Sequence, residues 1–215
     1  MTFTIVFLGW IFSLCLHEFS HAIVAYYGGD YTVREKGYLT FNPLRYTHPL
    51  FSIIFPLIFL ILGGIGLPGG AVYIERWRIR NRYWLSAMSL AGPLSNLLLA
   101  IVLGIILRTA PVTASGIWPG LSFLLVLQVS AVLFNLLPLP PFDGYNIIEP
   151  FLSPAIRAQV DSVRGVFIWI VFLAFWYIPL ISEIFWSAVF LISSILGVDW
   201  SIAILGLERF RFWDL

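Results

Sequence analysis

The sequence predicts an all-α polytopic membrane protein with five to six transmembrane segments. Within it we expect a three-helix core, a re-entrant apolar segment and a small membrane-associated β-hairpin or sheet. Three observations carry this. The 215 residues are 60% hydrophobic and only 11% charged, with a mean hydropathy of +0.94, where a soluble domain carries about 25% charged residues. Several apolar runs reach the roughly 20 residues that a membrane helix needs. The polar stretches between them are too short to bury cores of their own. A net charge of +1 with no basic tail gives no reason to expect a nucleic-acid partner, and the single cysteine, Cys15, excludes an intramolecular disulfide. The N-terminus lacks a signal-peptide n-region and cleavage site, so the first segment reads as retained.

The first segment, Phe3–Tyr27, contains His17-Glu18-Phe19-Ser20-His21. Residues four apart share a helix face. His17 and His21 can therefore offer two imidazoles to one metal ion, with Glu18 beside them as general base. Two of the three histidines of the chain fall in this pentapeptide. Ionisable groups inside a lipid-length run are costly and mark function. Neutral imidazole suits zinc, which acidifies water that it binds.

Gly28-Gly29 ends the segment, and the run through Asn42-Pro43 holds two short β-prone stretches split at Lys36-Gly37, which reads as a hairpin. Leu50–Ile65 is apolar but interrupted by Pro56 and closed by Gly63-Gly64. After it, residues 75–82 alternate arginine with apolar or aromatic residues, the composition of an anchor at the headgroups. The remaining candidate spans are Tyr83–Leu107, Leu121–Ile148, Val166–Ile178 and Glu183–Leu205, the last with a possible end at Gly197.

Asp143 is the only carboxylate in the apolar stretch that runs through Asn135-Leu136-Leu137-Pro138-Leu139-Pro140-Pro141-Phe142. Prolines break the helix before it, and broken backbone at membrane depth is tolerated where it lines a watery cavity. Asp143 is read as the third zinc ligand, leaving a fourth position for water. The rival reading is an Asp-Gly turn that caps the helix. His48, before Pro49, is a rival ligand or an interfacial histidine.

For His21 and Asp143 to meet, the C-terminal ends of the first and third segments must reach one face, with one net crossing between them. Either Leu50–Ile65 or Tyr83–Leu107 must then be re-entrant, and the Pro- and Gly-broken run is the better candidate. With the N-terminus outside, this arrangement puts eleven Lys and Arg inside and only Arg108 outside. A spanning Leu50–Ile65 gives eight against four and separates the ligands.

Three motifs in order resemble the site-2 protease family of intramembrane zinc metalloproteases: His17–His21, then Ala91-Gly92-Pro93-Leu94-Ser95-Asn96, then Asn135-Leu136-Leu137-Pro138 with Pro141-Phe142-Asp143-Gly144. The chain also resembles compact members, without PDZ or CBS domains, in which a stretch like Asn42-Pro43-Leu44 precedes an apolar insert; where these often have Asp-Pro, this chain has His48-Pro49. The resemblance divides the chain into a metalloprotease core, residues 1–148, and two C-terminal transmembrane helices, residues 149–215. It implies one zinc per chain on His17, His21 and Asp143, a catalytic Glu18, and a transmembrane protein substrate cut near or within the bilayer; the charge count places the metal towards the cytoplasmic side, and a prokaryotic plasma membrane is the expected location. It implies further that Gly69, Gly70, Ala71 and Val72 form a β-edge for the unwound substrate, and that Asn135 holds the substrate backbone or an oxyanion. Asn96 is open between such a role and helix–helix hydrogen bonding. The C-terminus is expected on the cytoplasmic side. The competing class is a metal-ion transporter, against which polar residues do not continue as a path across the bilayer.

Overall fold

The computed structural model describes residues 1–45 and 72–211. The described chain forms helices α1 (Thr2–Gly28), α2 (Thr32–Glu35), α3 (Arg82–Thr109), α4 (Trp118–Asn135), α5 (Asp143–Ile148), α6 (Pro154–Ser162), α7 (Arg164–Tyr177), α8 (Pro179–Ile195) and α9 (Trp200–Phe210), with no strand among the described residues. Three of these, α1, α3 and α4, are long and apolar enough to cross a membrane, and up to five spans result if α6–α7 and α8–α9 each count as one bent span. The expected re-entrant segment, 50–65, and His48 lie outside the described residues.

The helix directions follow from contacts that step by one turn. Ile5 meets Gly120, Leu124 reaches over Gly9, and Ser13 bonds Gln128, so α1 and α4 run parallel. His21 meets the Met88 carbonyl and His17 lies against Gly92, so α3 runs antiparallel to α1. The ends of α1 and α4 therefore reach the same end of the bundle, with α3 as the net crossing. In α4, 83% of the apolar window is buried against 39% in α1 and in α3, which makes α4 the central helix. Its upper half packs Val6, Trp10 and Leu14 of α1 against Phe123 and Leu127. Phe134, at its other end, stacks with Phe175 and Phe185 of α7 and α8.

Three expectations are corrected. The described part of the predicted hairpin is helical: Asp30 accepts from Thr32 N–H (3.1 Å) and Thr32 Oγ1 (2.6 Å), closing a turn that starts α2. The third span ends at Asn135, because the chain past Leu136 carries the prolines that no helix can continue through. The last apolar run is two helices, bent by 116° about Gly197, whose φ of 99° is open to glycine. That bend relocates the end of α9. Helix α8 begins beside Phe134 and ends where Arg108 bonds the Ile195 carbonyl, and α9 then packs on the start of α4, with Gly206 against Pro119. Arg209 shares a surface recess with Met1, Thr2, Phe3 and Gly116, and Phe210 stacks on Phe3 at 5.3 Å. The end of α9 thus lies at the same end of the bundle as the N-terminus, not at the opposite one.

Candidate metal centre

The parallel ends of α1 and α4 set up the centre. His17 and His21 are buried on the α1 face that meets α3. Their Nε2 atoms stand 3.0 Å apart. Asp143, first residue of α5, places Oδ2 3.2 Å from His17 Nε2 and 3.4 Å from His21 Nε2. His21 donates its Nδ1–H to the Met88 carbonyl at 2.7 Å, since a carbonyl can only accept. That bond fixes the tautomer and turns the Nε2 lone pair towards the other two ligand atoms. His17 Nδ1 has no partner among the described residues.

Three lone-pair atoms converging on one point repel one another unless a cation or proton lies between them. Four ligands about 2.0–2.1 Å from a tetrahedral zinc stand roughly 3.3–3.4 Å apart. The observed 3.0, 3.2 and 3.4 Å lie at that spacing or slightly inside it, so the donor set and its convergence fit zinc. Among the described residues this is the one such group of His, Cys, Asp and Glu.

Two glycines make the approach possible. A Cβ on Gly92 would lie 2.6 Å from His17 Nε2, and closer still to His21 Nε2. A Cβ on Gly144 would run into the Leu136 and Leu137 carbonyls, so the chain folds back tightly enough for Asp143 to reach the histidines. Glu18 is 3% exposed, and its Oε2 accepts Val72 N–H at 3.1 Å. The segment that carries Val72 continues to Glu75, whose N–H is accepted by Asp30 Oδ2 at 2.7 Å, and to Arg76, paired with Glu149 at 2.8 Å. Outside the spans, hydrogen bonds from Arg78 and then Lys36 hold the Glu75 carboxyl below the usual carboxylate range.

Of the residues singled out from sequence, the structure brings together His17, His21, Asp143 and Glu18, with Val72 on Glu18. Gly69, Gly70 and Ala71 lie outside the described residues. Asn135 and Asn96 are buried, and neither bonds the metal group among the described residues. Sequence reasoning missed Met88, whose contribution is a backbone oxygen and leaves no residue signature. It missed Asp30, and it passed over Gln128, an amide in the middle of the most buried apolar run, whose Oε1 accepts from Ser13 Oγ at 2.5 Å. It quoted Gly92 without a role, although a Gly-Pro pair inside a span is itself a signal of close approach.

The chain is 40% identical over 218 residues to a protein of Mycobacterium tuberculosis (strain H37Rv) that carries the name zinc metalloprotease Rip2, across 99% of this chain and 82% of that one. The Rip2 of Mycolicibacterium smegmatis is 41% identical over 215 residues, with the same shares covered. The zinc metalloprotease YwhC of Bacillus subtilis is 34% identical over 184 residues, 82% of this chain and 81% of that one. No family model and no solved structure matches the chain. Likeness of this extent to several such proteins, together with a buried two-histidine, one-carboxylate group, makes the chain a member of the site-2 protease family of zinc metalloproteases.

Proposed function

We propose that the chain is an intramembrane protease that hydrolyses a peptide bond of a transmembrane protein, near the cytoplasmic side of a prokaryotic plasma membrane. The observation that carries the reading is the convergence of His17, His21 and Asp143 beside Glu18, buried among helices of membrane-spanning length and composition. His17 Nε2, His21 Nε2 and Asp143 Oδ2 would hold one zinc per chain. When bound there, zinc would supply a Lewis acid able to polarise a peptide carbonyl and acidify water. Glu18 takes the proton of the attacking water and returns it to the leaving amine. Val72 N–H holds Oε2, and among the described residues Oε1 accepts no hydrogen bond, which makes it the oxygen available for that transfer.

A helical peptide bond is shielded, so the substrate must be extended before it is cut. Backbone pairing along Gly69–Val72 satisfies the groups that unwinding frees, and Asn135, at the end of α4, serves as a further contact for the substrate backbone. Nine of the twelve Lys and Arg, namely Arg34, Lys36, Arg45, Arg76, Arg78, Arg80, Arg82, Arg157 and Arg164, lie with the elements at the metal end. Arg108, Arg209 and Arg211 lie with those at the other. That asymmetry supports a cytoplasmic metal end.

Purified Glu18→Gln tests the assignment. It should keep its zinc and lose cleavage of a peptide with a 20-residue apolar stretch; retained cleavage would remove Glu18 from the reaction. Zinc flux into liposomes by the wild type, without peptide cleavage, would favour a transporter.

A further inference from the structure

Asp30 is 0% exposed. A fully buried carboxylate is costly unless its lone pairs are taken up. Asp30 has no ion-pair partner among the described residues; its acceptors are filled by neutral donors. Oδ1 takes Thr32 N–H and the Thr32 hydroxyl, and Oδ2 takes the N–H of Glu75, 45 residues further along the chain. The cations nearby are engaged elsewhere: Lys36 with Glu75 at 3.0 Å, Arg78 with Glu75 at 2.5 Å. Asp30 therefore joins the end of α1, which carries His17, Glu18 and His21, to the extended segment 72–75.

Other ties hold the same segment. Arg80 N–H bonds the Gly28 carbonyl at 2.9 Å, Lys36 Nζ bonds the Tyr73 carbonyl at 3.3 Å, and Arg76 pairs with Glu149. The Lys36 tie is partly open to water, and ion pairs within reach of solvent hold little, whereas the Arg76–Glu149 pair, with Glu149 Oε2 out of water, holds the segment one residue beyond Glu75. The Arg80 bond acts at the far end, beyond the 3-10 turn Arg76–Arg78. The Asp30 bond ends on a carboxylate wholly out of water and acts three residues from Val72, on a segment whose Val72 and Ile74 also pack against the apolar cluster around Ala22 and Ala25. Slack at Glu75 passes along that short extended stretch to Val72, whose N–H fixes Glu18 Oε2.

We infer that Asp30 is a positioning residue for the reaction: it clamps the 72–75 segment to the end of α1 and thereby sets Glu18 through Val72. This rests on the reading of Glu18 as the base. The clamp itself is testable without that reading. Asparagine at 30 keeps the volume but turns an NH2 group towards an N–H or a hydroxyl that needs an acceptor. Of the backbone groups, proline at 75 removes the N–H that Asp30 receives, at a residue whose φ of −82° is close to what proline adopts. It also removes the Glu75 carboxylate, and Glu75→Gln is the control for that.

The experiment compares wild type, Asp30→Asn, Glu75→Pro and Glu75→Gln in detergent. It reads zinc per chain, the rate of trypsin cutting at Arg76–Arg80, and kcat on the apolar peptide. Asp30→Asn and Glu75→Pro should keep one zinc, be cut by trypsin at least tenfold faster, and lose at least tenfold in kcat, since small misplacements of a catalytic group have effects of that order. Glu75→Gln should stay within threefold of wild type on all three. Three outcomes would overturn the inference: a segment as protected in Glu75→Pro as in wild type, a released segment with kcat unchanged, or a Glu75→Gln that behaves like Glu75→Pro. Should Asp30→Asn not fold, Glu75→Pro decides, and loss of zinc in Glu75→Pro also counts against positioning. A wild type that cuts no peptide sinks the protease reading and with it the role of the clamp, while the trypsin comparison still judges the clamp itself.

Discussion

Gly92 of α3 stands directly against the imidazole of His21 in α1, with no room between them for even a methyl group. The two helices cross at the metal group because one of them has no side chain there. The neighbours of a new Cβ would be ring atoms held by the Met88 carbonyl and by Asp143, not flexible side-chain ends. Gly92→Ala must therefore part α1 from α3 or rotate the rings off their common point. We expect zinc affinity to fall at least tenfold, measured by competition with a chromogenic chelator, while helix content stays unchanged. Wild-type affinity in Gly92→Ala would mean that the histidines have more freedom than their hydrogen bonds imply.

Asp143→Ala should lose zinc, because two imidazoles alone leave the ion with half of a tetrahedral shell. Its neighbour gives a different phenotype. Gly144→Ala forces a Cβ into the Leu136 and Leu137 carbonyls, which are backbone and cannot swing aside. Overpacking of this kind costs about 1–3 kcal/mol, so the midpoint of unfolding in detergent should fall as zinc binding weakens. Zinc content that is full in both variants would exclude Asp143 as a ligand and turn attention to His48.

Ser13 and Gln128 form a buried hydrogen bond between α1 and α4, one turn before His17. Removing one partner strands the other in an apolar interior, whereas removing both leaves nothing to satisfy. Ser13→Ala should cost about 1–2 kcal/mol, within the range for interhelical bonds in membranes. Adding Gln128→Leu to it should recover part of that loss. A double variant whose destabilisation equals the sum of the two single ones would show that the pair contributes no coupling.

What could be read from the residues, and what could not, divides by the range of the interaction. The His17–His21 pair was legible because helical spacing alone puts the two on one face. Asp143 was legible because a carboxylate in an apolar run needs a reason to be there. The α2 turn was not, since local β propensity favoured a strand and the deciding group is the buried carboxylate of Asp30, tied to Glu75 far along the chain. Gly197 was seen as a possible end of a helix, but the direction of the chain after it depends on how α9 packs against α4. The role of Gly92 needed the position of α1, which no feature of its own helix encodes.

The bend at Gly197 makes a topological prediction that separates the structure from the simpler count of charges. If every apolar run crossed once in turn, Arg209 would sit at the metal end with Lys36. In the structure it lies beside Met1 and Gly116, at the end where α3 gives way to α4. The charge asymmetry remains, nine against three, so the metal end is still the one expected inside. Single cysteines at 36, 115 and 209, in a Cys15→Ala background, resolve the matter with a membrane-impermeant maleimide applied to intact cells. Ser115→Cys and Arg209→Cys should be labelled, and Lys36→Cys should be labelled only after lysis. If Arg209→Cys instead follows Lys36→Cys, α9 does not stay at the end that holds Met1, and its packing against Pro119 and Phe123 of α4 is wrong.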